Sequence, residues 1–259
     1  MTQIFVVDNG WTMSKHWPIV TFVAETLAKN AAGLDKSGID LKFTVDGPRL
    51  DQKDLKGESG RKKLKKALRA AWPAYRENSH VTTNMALVFE KISREWASSG
   101  RPATTLLVLT DAVWSNTDLK ALNKTILDIA ERDKLNAGNR HFSIQFIRFG
   151  DNVAGKSRLQ WLDDELCAGQ KDIVDHCSWR AKVDKMFKGS IEGRADEQES
   201  EEEPIPYDYE TLVDLFDTFN KGEDSMSVPK DATLSPTKSL FRTSSRASHR
   251  SSTSSRNQQ

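Results

Sequence analysis

Short apolar runs that end at polar residues occur throughout the first 188 residues of the chain. Two of these runs end in an aspartate: residues 4–8 are Ile-Phe-Val-Val-Asp, and residues 106–111 are Leu-Leu-Val-Leu-Thr-Asp. A continuous apolar run of this length, followed by a pattern of helical period, is typical of a parallel strand that is covered on both faces. The pattern therefore predicts a sheet with two buried central strands.

The remaining periodicities predict that strands and helices alternate. We expect strands at about 3–8, 39–45, 104–111, 142–149 and 173–174, and helices at about 17–32, 61–71, 84–96, 118–134 and 158–167. Residues 46–48, Asp-Gly-Pro, predict a turn. The alternation predicts the α/β class, with a Rossmann-like, doubly wound and mostly parallel sheet flanked by helices in one domain, residues 1–188.

The composition changes after residue 188. Residues 189–206 form an acidic linker, residues 207–220 have the pattern of a short amphipathic helix, and residues 221–259 are rich in Ser and Arg. The tail lacks the apolar residues that would offset the entropy cost of folding, so we expect it to be disordered. Phosphorylation would reverse the sign of this basic segment. The candidate sites are Ser235, Ser245, Ser248 and Ser251.

Net charge and cysteine content limit the functional class only slightly. The chain has 38 Lys and Arg against 37 Asp and Glu, so its total charge selects neither an acidic nor a basic partner. Two cysteines are too few for a disulfide framework. No apolar run is long enough to cross a bilayer, and the N-terminus lacks the features of a signal peptide. We therefore expect an intracellular protein, cytoplasmic or nuclear, without a transmembrane segment.

Two aspartates suggest where a ligand would bind. If the two apolar runs form neighbouring strands, Asp8 and Asp111 emerge at one carboxyl edge, where open α/β sheets bind their ligands. With the nearby hydroxyl of Thr12, they provide the oxygen ligands that hard divalent cations prefer. A structural role is the alternative, in which both aspartates cap loops and accept backbone N–H bonds at helix starts.

Four segments between residue 1 and about residue 190 resemble the von Willebrand factor A (vWA) domain, most of all its stand-alone members in filamentous fungi. Residues 8–13, Asp-Asn-Gly-Trp-Thr-Met, match the Asp-x-Ser-x-Ser motif of the family. Residues 81–87 match its Thr-x-Thr loop, and residues 109–112, Leu-Thr-Asp-Ala, match its Thr-Asp-Gly segment. Residues 143–151, with the acidic stretches that follow, resemble its closing strand and helix.

The resemblance implies a metal-ion-dependent adhesion site (MIDAS), in which three loops hold Mg²⁺ or Mn²⁺ and a carboxylate of a protein partner completes the coordination. The positions that match its ligands are Asp8, Thr12 and Asp111. In the threonine loop, Val81 falls at the position of the coordinating threonine and Thr83 matches the second threonine, whereas a one-residue slip would make Thr82 the ligand, so Thr82 or Thr83 is the candidate there. Gly10 stands where the first serine belongs and has no side-chain oxygen. The site is therefore predicted to be degenerate, with metal binding weakened or lost, because Mg²⁺ requires near-octahedral oxygen geometry.

We therefore predict a non-enzymatic protein-interaction module that uses the carboxyl-edge loops. Its predicted partner-binding residues are Gly10, Trp11, Thr82 and Thr83. Tryptophan is frequent at binding hot spots, although a buried packing role for Trp11 is an equal alternative. The sequence contains no nucleophile elbow, Walker loop or Gly-x-Gly-x-x-Gly turn, so no catalytic residue is predicted.

A basic helix supports an alternative function. Residues 61–72 place Leu64, Ala67 and Leu68 on one helical face and five basic residues on the others. The basic residues are Lys62, Lys63, Lys65, Lys66 and Arg69. Such a helix suits the phosphates of an anionic phospholipid surface or of RNA, whereas most lysine-rich helices are simply solvated.

Overall fold

The computed structural model describes residues 2–34, 38–73, 81–134, 142–168 and 171–188. The predicted linker (189–206), amphipathic segment (207–220) and tail (221–259), with the four candidate phosphorylation sites, lie outside the described residues. Among the helices of the described part, none is both long enough and apolar enough to cross a bilayer.

Six strands form one sheet in the order β3-β2-β1-β4-β5-β6. The strands are β1 (Thr2–Val7), β2 (Ile39–Phe43), β3 (Gln52–Leu55), β4 (Thr104–Thr110), β5 (Phe142–Arg148) and β6 (Val174–Ser178). All neighbouring strands are parallel except β2 and β3, which pair antiparallel at one edge. β1, β4 and β5 are buried along nearly their whole length, as expected of parallel strands covered on both faces. The predicted fold class is confirmed.

Helices cover both faces of this sheet. They are α1 (Trp17–Leu34), α2 (Gly47–Leu50), α3 (Gly57–Ala70), α4 (Met85–Ser98), α5 (Leu119–Lys134), α6 (Val153–Asp164) and α7 (Val183–Lys188), with a 3-10 helix (Trp11–His16) before α1. α1, α3 and α7 pack on one face with Phe5 and Leu107, and α4, α5 and α6 pack on the other with Val6 and Val108. Successive strand residues point to opposite faces, so one apolar run supplies both cores.

Several boundaries differ from the sequence prediction. The segment predicted as a turn continues into α2 and β3, because β3 is an edge strand with two exposed residues and therefore lacks the apolar signal of a buried strand. α6 begins at Val153 rather than near residue 158, because the Asn152 side chain caps it by accepting the Gly155 N–H at 2.9 Å. α3 begins at Gly57 rather than Arg61, and the short helix α7 was not predicted.

Candidate interaction site at the carboxyl edge of the sheet

The two aspartates emerge at the same edge of the sheet. β1 and β4 are parallel neighbours whose register pairs Val7 with Leu109, and the Asp8 N–H donates to the Leu109 carbonyl at 2.9 Å. The strand order reverses between β1 and β4, so this edge is the topological switch point at which open α/β sheets bind ligands. Burial raises the pKa of Asp8, and the nearby charge of Asp111 raises it further. The predicted juxtaposition is confirmed.

The Asp8 carboxylate is the centre of a buried hydrogen-bond network. Its Oδ1 accepts from the Gly10 N–H at 3.1 Å, from the Thr44 hydroxyl at 3.1 Å and from the Thr83 hydroxyl. Its Oδ2 accepts from the Thr110 hydroxyl at 2.7 Å. Bonds of this kind favour the ionised form and so oppose the effect of burial on the pKa of Asp8. Asp8 thus joins the chain segments that follow β1 and β2 to the last residue of β4 and to the segment that precedes α4.

Gly10 and Thr83 are matched to each other in space. The Gly10 backbone has φ −62° and ψ 159°, which any residue can adopt, so its conformation does not require glycine. A Cβ at this position would lie far inside the contact distance of Thr83 Oγ1 and 3.3 Å from Asp8 Oδ1. The Thr83 hydroxyl therefore occupies the space that a serine side chain at position 10 would need, and it donates to Asp8 in its place.

The two threonines of the predicted loop differ in their surroundings. Thr83 is buried against Asp8, whereas Thr82 is half-buried and is not a partner of that carboxylate. Thr12 lies in the 3-10 helix after β1, where it lines a cavity together with Asp111. The structure thus brings Asp8 together with Thr83, and Thr12 together with Asp111.

This carboxyl-edge cavity has a volume of about 300 Å³. Trp11 lies on its wall and is 52% exposed. Asp151, also on the wall, pairs with Arg148 Nη1 at 3.7 Å. The other lining residues are Thr12, Ser14, Lys15, His16, Asp111, Val113, Phe149, Gly150 and Asn152. The result is a concave surface that combines aromatic rings with acidic, basic and amide groups, as protein-binding and ligand-binding sites commonly do.

Asp111 is held in place by the loop that follows β4. It is 4% exposed, and its Oδ1 accepts the Val113 N–H at 2.9 Å. Arg158 approaches from α6: its guanidinium donates to the Ala112 carbonyl and lies 5.4 Å from the centre of the Trp114 ring. Burial lowers the pKa of Arg158, and the charge of Asp111 opposes that shift. A cationic side chain therefore already lies close to Asp111.

Sequence reasoning missed several residues of this edge. Thr110 ends β4, and its hydroxyl also accepts from Trp114 Nε1 and the Ala112 N–H, each at 2.9 Å. Its place immediately before Asp111 is a signal that could have identified it. Thr44 directly follows β2 and Arg158 lies in α6, and no local pattern distinguishes them from other partly exposed residues.

The donor set is a poor match for a preformed divalent-cation site. Both oxygens of Asp8 already accept hydrogen bonds, and Gly10 supplies no side-chain ligand. Arg158 lies near Asp111, the second carboxylate. Across the residues that the structure describes, no group of three or more His, Cys, Asp or Glu side chains could hold a metal ion. A cation here would have to compete with hydroxyl donors and depend largely on water ligands.

The predicted basic helix corresponds to α3. Its buried side carries Leu64, Ala67 and Leu68, and its exposed side carries Lys62, Lys63 and Lys66. Lys65 and Arg69 are half-buried, and Lys65 Nζ lies 3.5 Å from Glu25 Oε2 on α1. Burial raises the pKa of Glu25 to about 7, against the opposing effect of Lys65. The helix is therefore partly used inside the domain and partly available to solvent.

No family model matches the chain, and no curated protein matches it. A solved structure, a von Willebrand factor type A protein from Catenulispora acidiphila, is similar with 12% identity and a TM-score of 0.45. The match covers 73% of this chain and 40% of that chain, so it spans less than half of the other protein's length. A likeness of this size does not identify a family.

Proposed function

We propose that this chain is a vWA-like, non-enzymatic interaction module whose carboxyl-edge loops bind a protein partner without a divalent cation. The observation that carries the proposal is the saturation of Asp8 by four neutral donors, with the Thr83 hydroxyl in the space of a serine at position 10. The network replaces a metal as the element that holds the loops together.

Exposure supports a binding role for the same edge. Trp11 lies half-exposed beside a cavity, and large exposed aromatic side chains are the usual anchors of protein interfaces. The cavity joins this ring to Asp111 and to Thr12, which provide hydrogen-bonding groups around an apolar anchor. A partner would thus bind at the switch point of the sheet.

The arrangement of histidine supports a role other than catalysis. His176 Nδ1 lies 2.6 Å from Asp163 Oδ2, which is the base and orienting pair that a hydrolase needs. Within the described ranges, however, no Ser, Thr or Cys side chain forms a hydrogen bond to the His176 ring. The nearby thiol of Cys177 is buried, and burial raises its pKa to about 12, so it is a poor nucleophile.

Affinity capture tests this proposal. The tagged 259-residue chain would be incubated with lysate from its source, and the bound proteins of wild type, Trp11→Ala and Asp111→Asn would be compared by quantitative mass spectrometry. Trp161→Ala is the matched control, because Trp161 is 45% exposed on α6, away from the carboxyl-edge cavity. We expect Trp11→Ala and Asp111→Asn each to reduce the recovery of the partner proteins about tenfold or more. Trp161→Ala should leave that recovery unchanged.

The same capture in EDTA and in Mg²⁺ or Mn²⁺ tests the cation. We expect equal recovery in all three, and a thermal midpoint that neither ion shifts, because a ligand that binds only the folded state would raise it. Recovery lost in EDTA would refute cation-independent binding. Recovery unchanged in the Trp11→Ala, Asp111→Asn double variant would refute the proposed face.

The exposed lysines of α3 support a second candidate, binding to an anionic phospholipid surface or RNA. Lys62, Lys63 and Lys66 all face solvent. Sedimentation with anionic vesicles and RNA mobility shifts, each over a range of salt, would test it, since phosphate contacts give steep salt dependence. Binding that survives Lys62→Glu with Lys66→Glu would exclude this helix as the binding element.

A further inference from the structure

A second cavity lies at the opposite, amino edge of the sheet, between α1 and α3. Its volume is about 260 Å³. Its walls are mainly apolar and come from α1 (Ala28, Ala31), from β2 (Ile39), from β3 (Leu55) and from α3 (Leu64). This α1–α3 cavity is distant from Asp8 and plays no part in the proposed carboxyl-edge site.

A buried polar group in this cavity has no partner among the residues that the structure describes. Gln3 lines the cavity from β1 and is 2% exposed, and its side-chain Oε1 accepts no hydrogen bond from any described residue. A buried carbonyl oxygen without a donor costs free energy, so such groups in native proteins are normally paired with protein or with a ligand. The cavity therefore presents an apolar space with one unused hydrogen-bond acceptor.

The rim of the cavity carries basic side chains at the N-terminus of α3. Lys56 and Arg61 line it, and each has an acidic neighbour: Lys56 Nζ lies 2.7 Å from Asp54 Oδ1, and Arg61 Nη1 lies 3.4 Å from Glu58 Oε2. The exposed Lys62, Lys63 and Lys66 make the surface of α3 beside the rim positive. Helix N-termini and lysine clusters both favour negatively charged groups. An occupant of this cavity should be acidic outside and apolar or aromatic inside.

The chain itself contains a segment of this chemistry. Residues 207–219, Tyr-Asp-Tyr-Glu-Thr-Leu-Val-Asp-Leu-Phe-Asp-Thr-Phe, carry four acidic and no basic residues. Tyr209, Leu212, Val213 and Phe216 repeat at the spacing of one helical face. Amphipathic helices of this kind bind grooves through apolar anchors, and a tyrosine hydroxyl can donate to a buried carbonyl.

The connection to the domain permits this docking. α7 ends at Lys188 on the same face of the sheet as α1 and α3. The 18 residues from 189 to 206 can span up to roughly 60 Å when extended, whereas a domain of this size has a radius of gyration of roughly 16 Å. The segment can therefore reach the cavity without crossing to the other face.

We propose that residues 207–219 dock on their own domain at the α1–α3 cavity. An aromatic side chain of the apolar stripe fills the cavity, a tyrosine hydroxyl donates to Gln3 Oε1, and the acidic side chains face the exposed lysines of α3. The basic surface of α3 is then covered by the chain itself.

Hydrogen exchange of the 259-residue chain tests the docking. Tyr209→Ser with Phe216→Ser should speed exchange of the amides in the first turns of α3 by about tenfold or more, because docking protects them. Leu240→Ser with Phe241→Ser is the matched control, since it removes apolar residues of the tail outside the segment. We expect no change at α3 in this control.

Charge reversal gives an independent test. Lys62→Glu with Lys66→Glu should speed exchange at the same amides, and adding Asp214→Lys with Asp217→Lys should restore the protection. The thermal midpoint of each variant shows whether the domain remains folded. Protection that rises with protein concentration would mean that a second copy supplies the segment, and it would refute docking within one chain.

Two further results would overturn the proposal. The first is unchanged exchange at α3 in both the stripe variant and the charge-reversal variant. The second is a small molecule that native mass spectrometry detects on the purified chain and that is lost in Leu64→Trp, a variant whose larger side chain fills the cavity.

Discussion

The Thr83 hydroxyl lies where a side chain at position 10 would begin, and this close approach predicts how substitutions at the two positions change the stability of the fold. Gly10→Ala adds only a methyl group at a backbone conformation that alanine adopts freely. Because that methyl group would collide with the Thr83 hydroxyl, its effect should depend on whether the hydroxyl is present. Thr83→Ala removes the hydroxyl and with it one donor to the buried Asp8 carboxylate.

The magnitudes follow from these contacts. Overpacking destabilises a fold by about 1–3 kcal/mol, whereas Gly→Ala at a compatible backbone conformation stabilises it by about 0.4–1 kcal/mol. Gly10→Ala alone should therefore destabilise the fold by about 1–2 kcal/mol. Loss of a hydrogen bond to a buried charged group costs about 1.5–3 kcal/mol, which is the expected effect of Thr83→Ala. In the Thr83→Ala background, Gly10→Ala should be neutral or stabilising, which gives a coupling energy of about 1–3 kcal/mol.

Urea denaturation of the wild type, the two single variants and the double variant measures this coupling. The four curves would be followed by far-UV circular dichroism at one pH, and the unfolding free energies compared as a double-mutant cycle. Additive effects within about 0.5 kcal/mol would refute the steric match and, with it, the claim that Thr83 replaces a serine at position 10.

Three further predictions test burial and charge. Burial raises the pKa of Glu25 to about 7, so the folded state binds this proton more tightly than the unfolded chain does. As the pH rises from about 4.5 to about 7, Glu25→Gln should therefore gain up to about 3 kcal/mol of stability relative to wild type. Parallel pH profiles of the two unfolding free energies, measured in urea, would contradict this. Burial raises the pKa of both thiols, Cys167 and Cys177, so a maleimide should label them only after denaturation, and prompt labelling of the native chain would disprove their burial. Trp11→Ala should change the unfolding free energy by less than about 0.5 kcal/mol. Trp114 is only 4% exposed, so Trp114→Ala should lower the unfolding free energy by about 3–5 kcal/mol. Equal thermal midpoints for the two variants would be inconsistent with these different exposures.

Hydrophobic periodicity was sufficient for the fold class and for most elements. The apolar runs of β1 and β4 and the helical repeats of α1, α4 and α5 are local patterns, and each element lies within a few residues of its predicted position. β3 was missed because an exposed edge strand is polar, and the start of α6 was misplaced because one Asn152 cap sets it. The meeting of Asp8 and Asp111 also followed from the pattern, since neighbouring parallel strands end at one edge.

The sequence by itself thus determined an α/β sheet with two aspartates at its carboxyl edge. Only the tertiary structure showed that the Asp8 carboxylate accepts hydrogen bonds from the hydroxyl groups of Thr44, Thr83 and Thr110, which are 36, 75 and 102 residues away in sequence. It also showed that Thr83, and not Thr82, lies against Gly10. The reason is physical: periodicity reports which face of an element is buried, whereas contacts between distant segments depend on how the parallel crossovers place their loops along the same edge.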